Sequence, residues 1–459
     1  LPPGASTPQA GAIPSVTATL ATAVKTLGVY VQEQAGIRDR LFLIAAVRSD
    51  QNSAFGSNFQ RVLYPKLSAS WLLSDESFFP RPAFLDQLRL RSAYGASGVQ
   101  PGPTASLITY QTLTVNTSNN LPGTTGTDTP GLRANALGNA NLKPETSAEW
   151  EAGIDARMLN NRANIELTYF SKQTHDALIQ QPIAPSAAPS NTTVLKNLGS
   201  IKNAGVEAVL TTTLADRKSI GWDLTLSGSH LSNKIISLGF DATGQPNKTV
   251  GTGSNRDSLG MSVNGWFYRP YTYNDTNGDG ILTVDEVQVA PTFSYYGYSF
   301  PRDIVSLQNG VELFRRKLRV NLLFDYRGGF SVFNQTANIQ CAQSNSCPGA
   351  SNLGASLAQQ AANIATRNEN PSSAVGFLQS GQFWRFREAS ATLTLPGMIA
   401  AHLRAQSAAI TFAARNLKIW TKYTGPDPEA NYANTSDIQN TYATSGLRSY
   451  FTARLALHY

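Results

Sequence analysis

Asp275-Thr-Asn-Gly-Asp-Gly-Ile-Leu-Thr-Val-Asp-Glu286 is the stretch in which residue type and spacing carry chemistry. A hard cation such as calcium asks for six to eight oxygens, and a D-x-[DN]-x-[DN]-G-x5-E loop supplies them in order. Side-chain oxygens would come from Asp275, Asn277 and Asp279. Ile281 would add its carbonyl, Thr283 a direct or water-borne oxygen, and Glu286 a two-oxygen closure, with Gly280 permitting the sharp turn. The competing reading is an acidic turn folded on itself. Pro270 stands shortly before the loop and Pro291 shortly after it, so the flanking helices of a calcium sensor are not expected, and a structural Ca2+ clamp is.

Aromatic residues bracket that loop. Trp266 and Tyr268 on one side, and Tyr295 and Tyr296 on the other, are candidate stacking surfaces for a sugar or peptide, with ordinary loop packing as the alternative. Cys341 and Cys347 stand six apart in a small polar segment, which suits a disulfide of an oxidising compartment or two free thiols. The four histidines (His175, His230, His402, His458) show no metal or triad spacing, and no nucleophile elbow, zinc-protease or phosphate-loop motif occurs. Nothing in the sequence argues for an enzyme.

The elements that must hold these residues read as strands. Phe451, Ala453, Leu455, Leu457 and Tyr459 alternate with Thr452, Arg454 and His458. Trp150, Ala152, Ile154 and Ala156 alternate with Glu149, Glu151, Asp155 and Arg157. A period of two with charge at mid-strand and an aromatic at the very end is the pattern of a bilayer-crossing β-strand. Charged residues make up only 15% of the chain, and 36 glycines and 24 prolines punctuate it, as many short strands joined by turns require. No apolar run reaches the length of a membrane helix, and a mean hydropathy of −0.22 does not argue against a barrel, whose strands turn half their residues to a wet lumen. The net charge of +7 is spread singly along the chain, without a basic run, so nucleic acid is not expected as a partner.

Connections divide into two sets. Arg38-Asp-Arg40, Asn160-Asn161 and Asp216-Arg-Lys218 are tight, while 95–143, 172–193, 233–262 and 330–380 are long and read as loops. Short turns on one rim and long loops on the other predict an all-β, transmembrane antiparallel β-barrel of about fourteen strands here. Residues 1–22 read as a loop or linker, and 23–459 as the barrel portion.

Several segments resemble a known family. Asn141-Leu-Lys-Pro-Glu-Thr-Ser-Ala-Glu-Trp-Glu-Ala-Gly153, Tyr64-Pro-Lys-Leu-Ser-Ala-Ser-Trp71, Asn203-Ala-Gly-Val-Glu207, Phe383-Trp-Arg-Phe-Arg-Glu-Ala-Ser390 and Trp420-Thr-Lys-Tyr-Thr-Gly-Pro-Asp-Pro-Glu429 are similar to the C-terminal barrel of SusC/RagA-like TonB-dependent outer-membrane receptors. The resemblance implies a barrel of about twenty-two strands, of which this chain is the C-terminal part, with signal peptide, plug and early strands expected ahead of Leu1. It also implies residence in bacterial outer membrane lipid, uptake of an oligosaccharide or peptide, a SusD-like lipoprotein lid, and energy through the TonB complex. A surface structural or adhesive barrel with a calcium-stabilised loop is the other membrane reading, and a soluble calcium-binding carbohydrate module the third.

Overall fold

Alternation of apolar and polar residues resolves into a single antiparallel meander. The computed structural model describes residues 25–53, 61–102, 105–116, 128–182, 193–240, 244–252, 254–368, 371–430 and 440–459, so the linker expected at 1–22 lies outside the described residues. Thirteen strands form one sheet in which every neighbour is also the next sheet strand along the chain. They are β1 (Thr26–Ile37), β2 (Leu41–Asn52), β3 (Val62–Leu72), β4 (Leu85–Val99), β5 (Glu145–Met158), β6 (Ala163–Pro182) and β7 (Thr193–Asp216). The run continues with β8 (Gly221–Leu238), β9 (Asp303–Leu313), β10 (Leu318–Gly328), β11 (Phe383–Thr394), β12 (Ser407–Thr421) and β13 (Tyr450–His458). Among the described residues β1 and β13 are the two edges, and the sheet is open.

The two faces differ as a bilayer requires. Register places Leu67 opposite Tyr94 and Tyr94 opposite Trp150, with Ile154 opposite Leu167, so one face collects the apolar residues of successive strands. That face is uncovered: Trp150 is 45% exposed, Leu167 42% and Phe412 61%. A soluble sandwich would hide these side chains under a second layer, and here they point away from the protein. The other face carries Arg89, Arg91, Asp155, Asp223, Glu312 and Arg319, joined across strands by ion pairs.

One rim is tight. Arg38 and Asp39 close β1 to β2, and Leu159, Asn160 and Asn161 close β5 to β6, all with positive φ. Phe314, Arg315 and Arg316 close β9 to β10 in the same left-handed conformation.

The long connections at the opposite rim are more ordered than their composition suggests. Within 95–143, β4 runs on to Val99, and Thr109–Asn116 pairs with Asp128–Ala136 as a separate ribbon. Much of 172–193 is strand too. β6 and β7 stay paired out to Pro182 and Thr193, past an irregularity between Thr174 and Leu178. Within 233–262 the ladder of β8 reaches Leu238, and Thr249–Thr252 pairs with Asn255–Ser258. The segment 330–380 holds three helices instead of plain loop: α1 (Gln335–Ala342), α2 (Pro348–Ser351) and α3 (Leu357–Arg367). A fourth, α4 (Gly397–His402), sits between β11 and β12 on the tight rim. The start of α3 has a legible cause: Ser356 and Gln359 form a reciprocal capping box, and Ala361 and Ala365 fall on its buried side.

Candidate functional site

Among the described residues, two of the three dry clusters lie in the cap built from the long connections, and the third packs Phe330, Val332 and Tyr423 on Phe383 of β11. Trp266 and Tyr268 are stacked, with ring centroids 6.0 Å apart, and both rings lie against Phe333. Cys341, Cys347, Ala362 and Phe377 complete the cluster. Trp266 donates its indole N–H to the Ser331 carbonyl at 2.8 Å. Burial pushes the Tyr268 phenol far above its ordinary pKa. Trp266 and Tyr268, 3% and 8% exposed, are therefore framework and offer no stacking face to a cargo, which corrects that expectation. A planar apolar ring in a chain that leaves its sheet uncovered is most stable where the loops can enclose it. Tyr295 is part-buried with its hydroxyl paired to Ser262 at 2.8 Å, and Tyr296 is 37% exposed.

The structure joins Cys341 and Cys347 in a disulfide across the end of α1, with Cα atoms 5.0 Å apart. Both sulfurs belong to the Trp266 cluster, so the bridge is packed inside the cap.

The acidic loop stands on the same cap. Tyr271–Tyr273 pairs with Val287–Val289, a two-stranded stem in place of flanking helices, and Val284–Glu286 forms one 3-10 turn. Gly278 and Gly280 have φ of +72° and +80°, the left-handed conformation that the turn demands. Asp275 accepts from the amides of Gly278 and Gly280 at 2.8 and 2.9 Å. Asn277 accepts from the Asp279 amide at 3.2 Å, and Asp279 from the Ile281 amide at 2.7 Å. Glu286 takes Thr276 on one oxygen and Thr283 on the other, through amide and hydroxyl in each case. These donors, the Thr276 hydroxyl foremost, lower its carboxyl to about 2.

The donor set suits a hard cation: Asn277 and Asp279 each accept from the amide two residues on, Asp275 accepts from the amides three and five residues on, and a carboxylate has about four acceptor lone pairs, more than these amides occupy. Among the described residues, however, no three acidic, histidine or cysteine side chains are gathered as a cation cage. Fit therefore rests on donor chemistry and turn shape.

A residue absent from the sequence reading ties this loop to the helices. Gln360 on α3, 6% exposed, donates to the Gly280 carbonyl at 2.9 Å and accepts from the Leu282 amide at 2.8 Å. Leu282 and Val287 meanwhile bury against Ala361 and Ala365. A glutamine in an amphipathic helix has no signal of its own. Only the fold brings it 80 residues back to the loop.

A second constellation also escaped sequence reasoning. Arg385 and Arg387 on β11 and Arg327 on β10 meet Asp325, Asp427 and Glu429, three cations against three anions. Arg385 to Asp427 is 2.6 Å with both side chains under 5% exposed, Arg387 to Asp325 is 2.8 Å, and Arg387 also bonds Glu429. Asp427 further accepts from the Glu429 and Leu447 amides at 3.0 and 3.1 Å, so the Pro-Asp-Pro-Glu loop is clamped to the sheet. The legible signal was two arginines two apart on one strand and two acids two apart in a proline-rich loop.

On the polar face, a recess of about 330 Å³ is lined by Arg91, Glu149, Glu151, Glu166, Thr168 and Glu207 among others. Glu149 and Glu151 face it as the alternation requires. Among the described residues no ion pair joins them to an arginine; Arg89 and Arg91 of β4 instead hold Asp155 at 2.5 and 3.1 Å.

Comparison with known proteins follows the same lines. A family model described as TonB dependent receptor-like, beta-barrel, matches residues 2–338. TonB-dependent receptor P26 of Formosa agariphila is 26% identical over 446 residues, covering 88% of this chain and 42% of that protein. TonB-dependent receptor SusC of Bacteroides thetaiotaomicron is 26% identical over 201 residues, 44% of this chain and 20% of that one. Among solved structures, the RagAB peptide transporter superposes with a TM-score of 0.73 at 19% identity over 94% of this chain and 47% of that chain. The chain thus spans less than half the length of the relatives it matches.

Proposed function

The chain belongs to the TonB-dependent receptor β-barrel family, and from that premise we propose that it forms the C-terminal part of a SusC-like outer-membrane importer for a nutrient too large for porins. The family is one of receptors and transporters of the bacterial outer membrane, and this reading contains no catalytic step. The observation that carries it is the uncovered apolar face set against an ion-paired polar one, which suits a wall between lipid and a wet lumen. The cargo is an oligosaccharide or a peptide, the latter being what the similar RagAB transporter carries. A SusD-like lipoprotein on the loop side and the TonB complex on the tight-turn side are the partners of this reading.

The test is uptake by a host expressing the full-length receptor with its neighbouring lipoprotein. Labelled oligosaccharide or peptide is expected to enter only while TonB is intact. Equal uptake with and without TonB, or none with either cargo, sinks import and favours a surface structural barrel.

Within the same reading, Ca2+ held by Asp275, Asn277, Asp279, the Ile281 carbonyl, Thr283 and Glu286 locks the loop against α3. Support comes from the turn and the donor set. Asp275→Ala with Glu286→Ala is expected to abolish the rise in melting temperature that millimolar calcium gives the unaltered receptor. Identical melting of both proteins with calcium and with chelator removes the metal.

A further inference from the structure

We propose that the outer face of β7 and β8 carries a site for the phosphate of an anionic lipid headgroup, built on Lys202 and Lys234. The proposal rests on the membrane placement argued above. Along β8 the outward column opens with Trp222, Leu224 and Leu226, continues through Gly228, His230 and Ser232, and reaches Lys234 near the long-loop rim. Register sets Lys234 directly opposite Lys202 of β7, whose other neighbour is Gln173 of β6. Both lysines are exposed, and among the described residues neither has an ion-pair partner. The acid on the same face, Asp303, is held by His230 at 2.6 Å.

Like charges directly opposite on antiparallel strands repel, so the pair is stable with an anion between them. Height selects the anion. From Trp222 to Lys234 the strand climbs about 40 Å at roughly 3.3 Å per residue, or about 30 Å along the membrane normal at a tilt near 40°. That is about the thickness of the hydrocarbon layer. With Trp222 in one interfacial girdle, the two ammonium groups emerge at the headgroups of the opposite leaflet, above a column whose lower part, Trp222, Leu224 and Leu226, is apolar and can be covered by acyl chains. A lipid phosphate meets both surfaces at once, whereas a free phosphate meets only the charge.

The experiment places the full-length receptor in nanodiscs of phosphatidylcholine doped with lipid A and counts retained lipid A by native mass spectrometry. Each lysine near an anionic leaflet is worth a factor of about five, so K202Q/K234Q is expected to weaken retention roughly 25-fold, and K202R/K234R to preserve it. In neutral detergent free of phosphate, K202Q/K234Q is expected to melt no lower than the unaltered protein, since only repulsion is removed. Equal lipid A retention by K202Q/K234Q overturns the site. So does stabilisation by inorganic phosphate as large as that by lipid A, or loss of a co-purifying protein with lipid retention unchanged. A receptor that fails to enter nanodiscs at all defeats the membrane placement instead.

Discussion

At the scale of single residues, Glu286 shows how much a short loop can do to one carboxyl. Its pKa is lowered from 4.5 to about 2 because hydroxyls and amides of Thr276 and Thr283 donate to the charged form. A depressed carboxylate contributes stability that is fully present above its unfolded pKa and is lost as pH falls through the folded one. In metal-free buffer the loop is therefore expected to loosen between about pH 4.5 and 2, read by amide exchange at Thr276 and Thr283. Glu286→Gln should flatten that acid limb, and an unchanged limb would show that Glu286 is not its source. Gln360 is the residue partner on the helix side. Gln360→Ala strands the Gly280 carbonyl and the Leu282 amide inside a packed contact, a loss of about 1–3 kcal/mol. The expected readout is a lower melting temperature with or without calcium; a loss seen only with calcium would make Gln360 part of the metal site instead.

At the scale of elements, the ion network holds a loop to a strand pair. Arg385 is paired to Asp427 in an environment nearly closed to water, where losing one partner leaves an uncompensated charge. Arg385→Ala is expected to cost about 3–5 kcal/mol, measured by chemical unfolding in detergent. Removing Arg385 and Asp427 together should cost less than the sum of the two single changes, because neither charge is then stranded. Strict additivity would mean the two do not act as a pair.

At the scale of the whole molecule, the two faces make opposite demands on the same substitution. Leu226 stands on the uncovered face between Trp222 and Lys234, and Thr225 beside it points to the polar side. Leu226→Arg places a charge near mid-bilayer and is expected to cost about 2–4 kcal/mol of insertion free energy, while Thr225→Arg should be nearly neutral. The check is the folded fraction in phosphatidylcholine vesicles. Equal yields for both would mean that lipid does not contact this face.

Residue order alone dictates the period, and the period dictates the sheet. Strand sides, tight turns and the roughly fourteen strands expected, against thirteen in the main sheet of the described residues, follow from local alternation, since successive side chains of a strand cannot share a face. The acidic loop was legible for the same reason: its ligand-type residues lie within one turn of chain. Whatever joins distant segments had to wait for the folded molecule. Trp266 became core because the connection after β8 and the connection after β10 closed on each other, Gln360 reached the acidic loop across 80 residues, and Arg385 found Asp427 across 42. The helices of the cap belong there too: α1 and α2 are short, and packing against segments distant in the chain is what makes such helices stable.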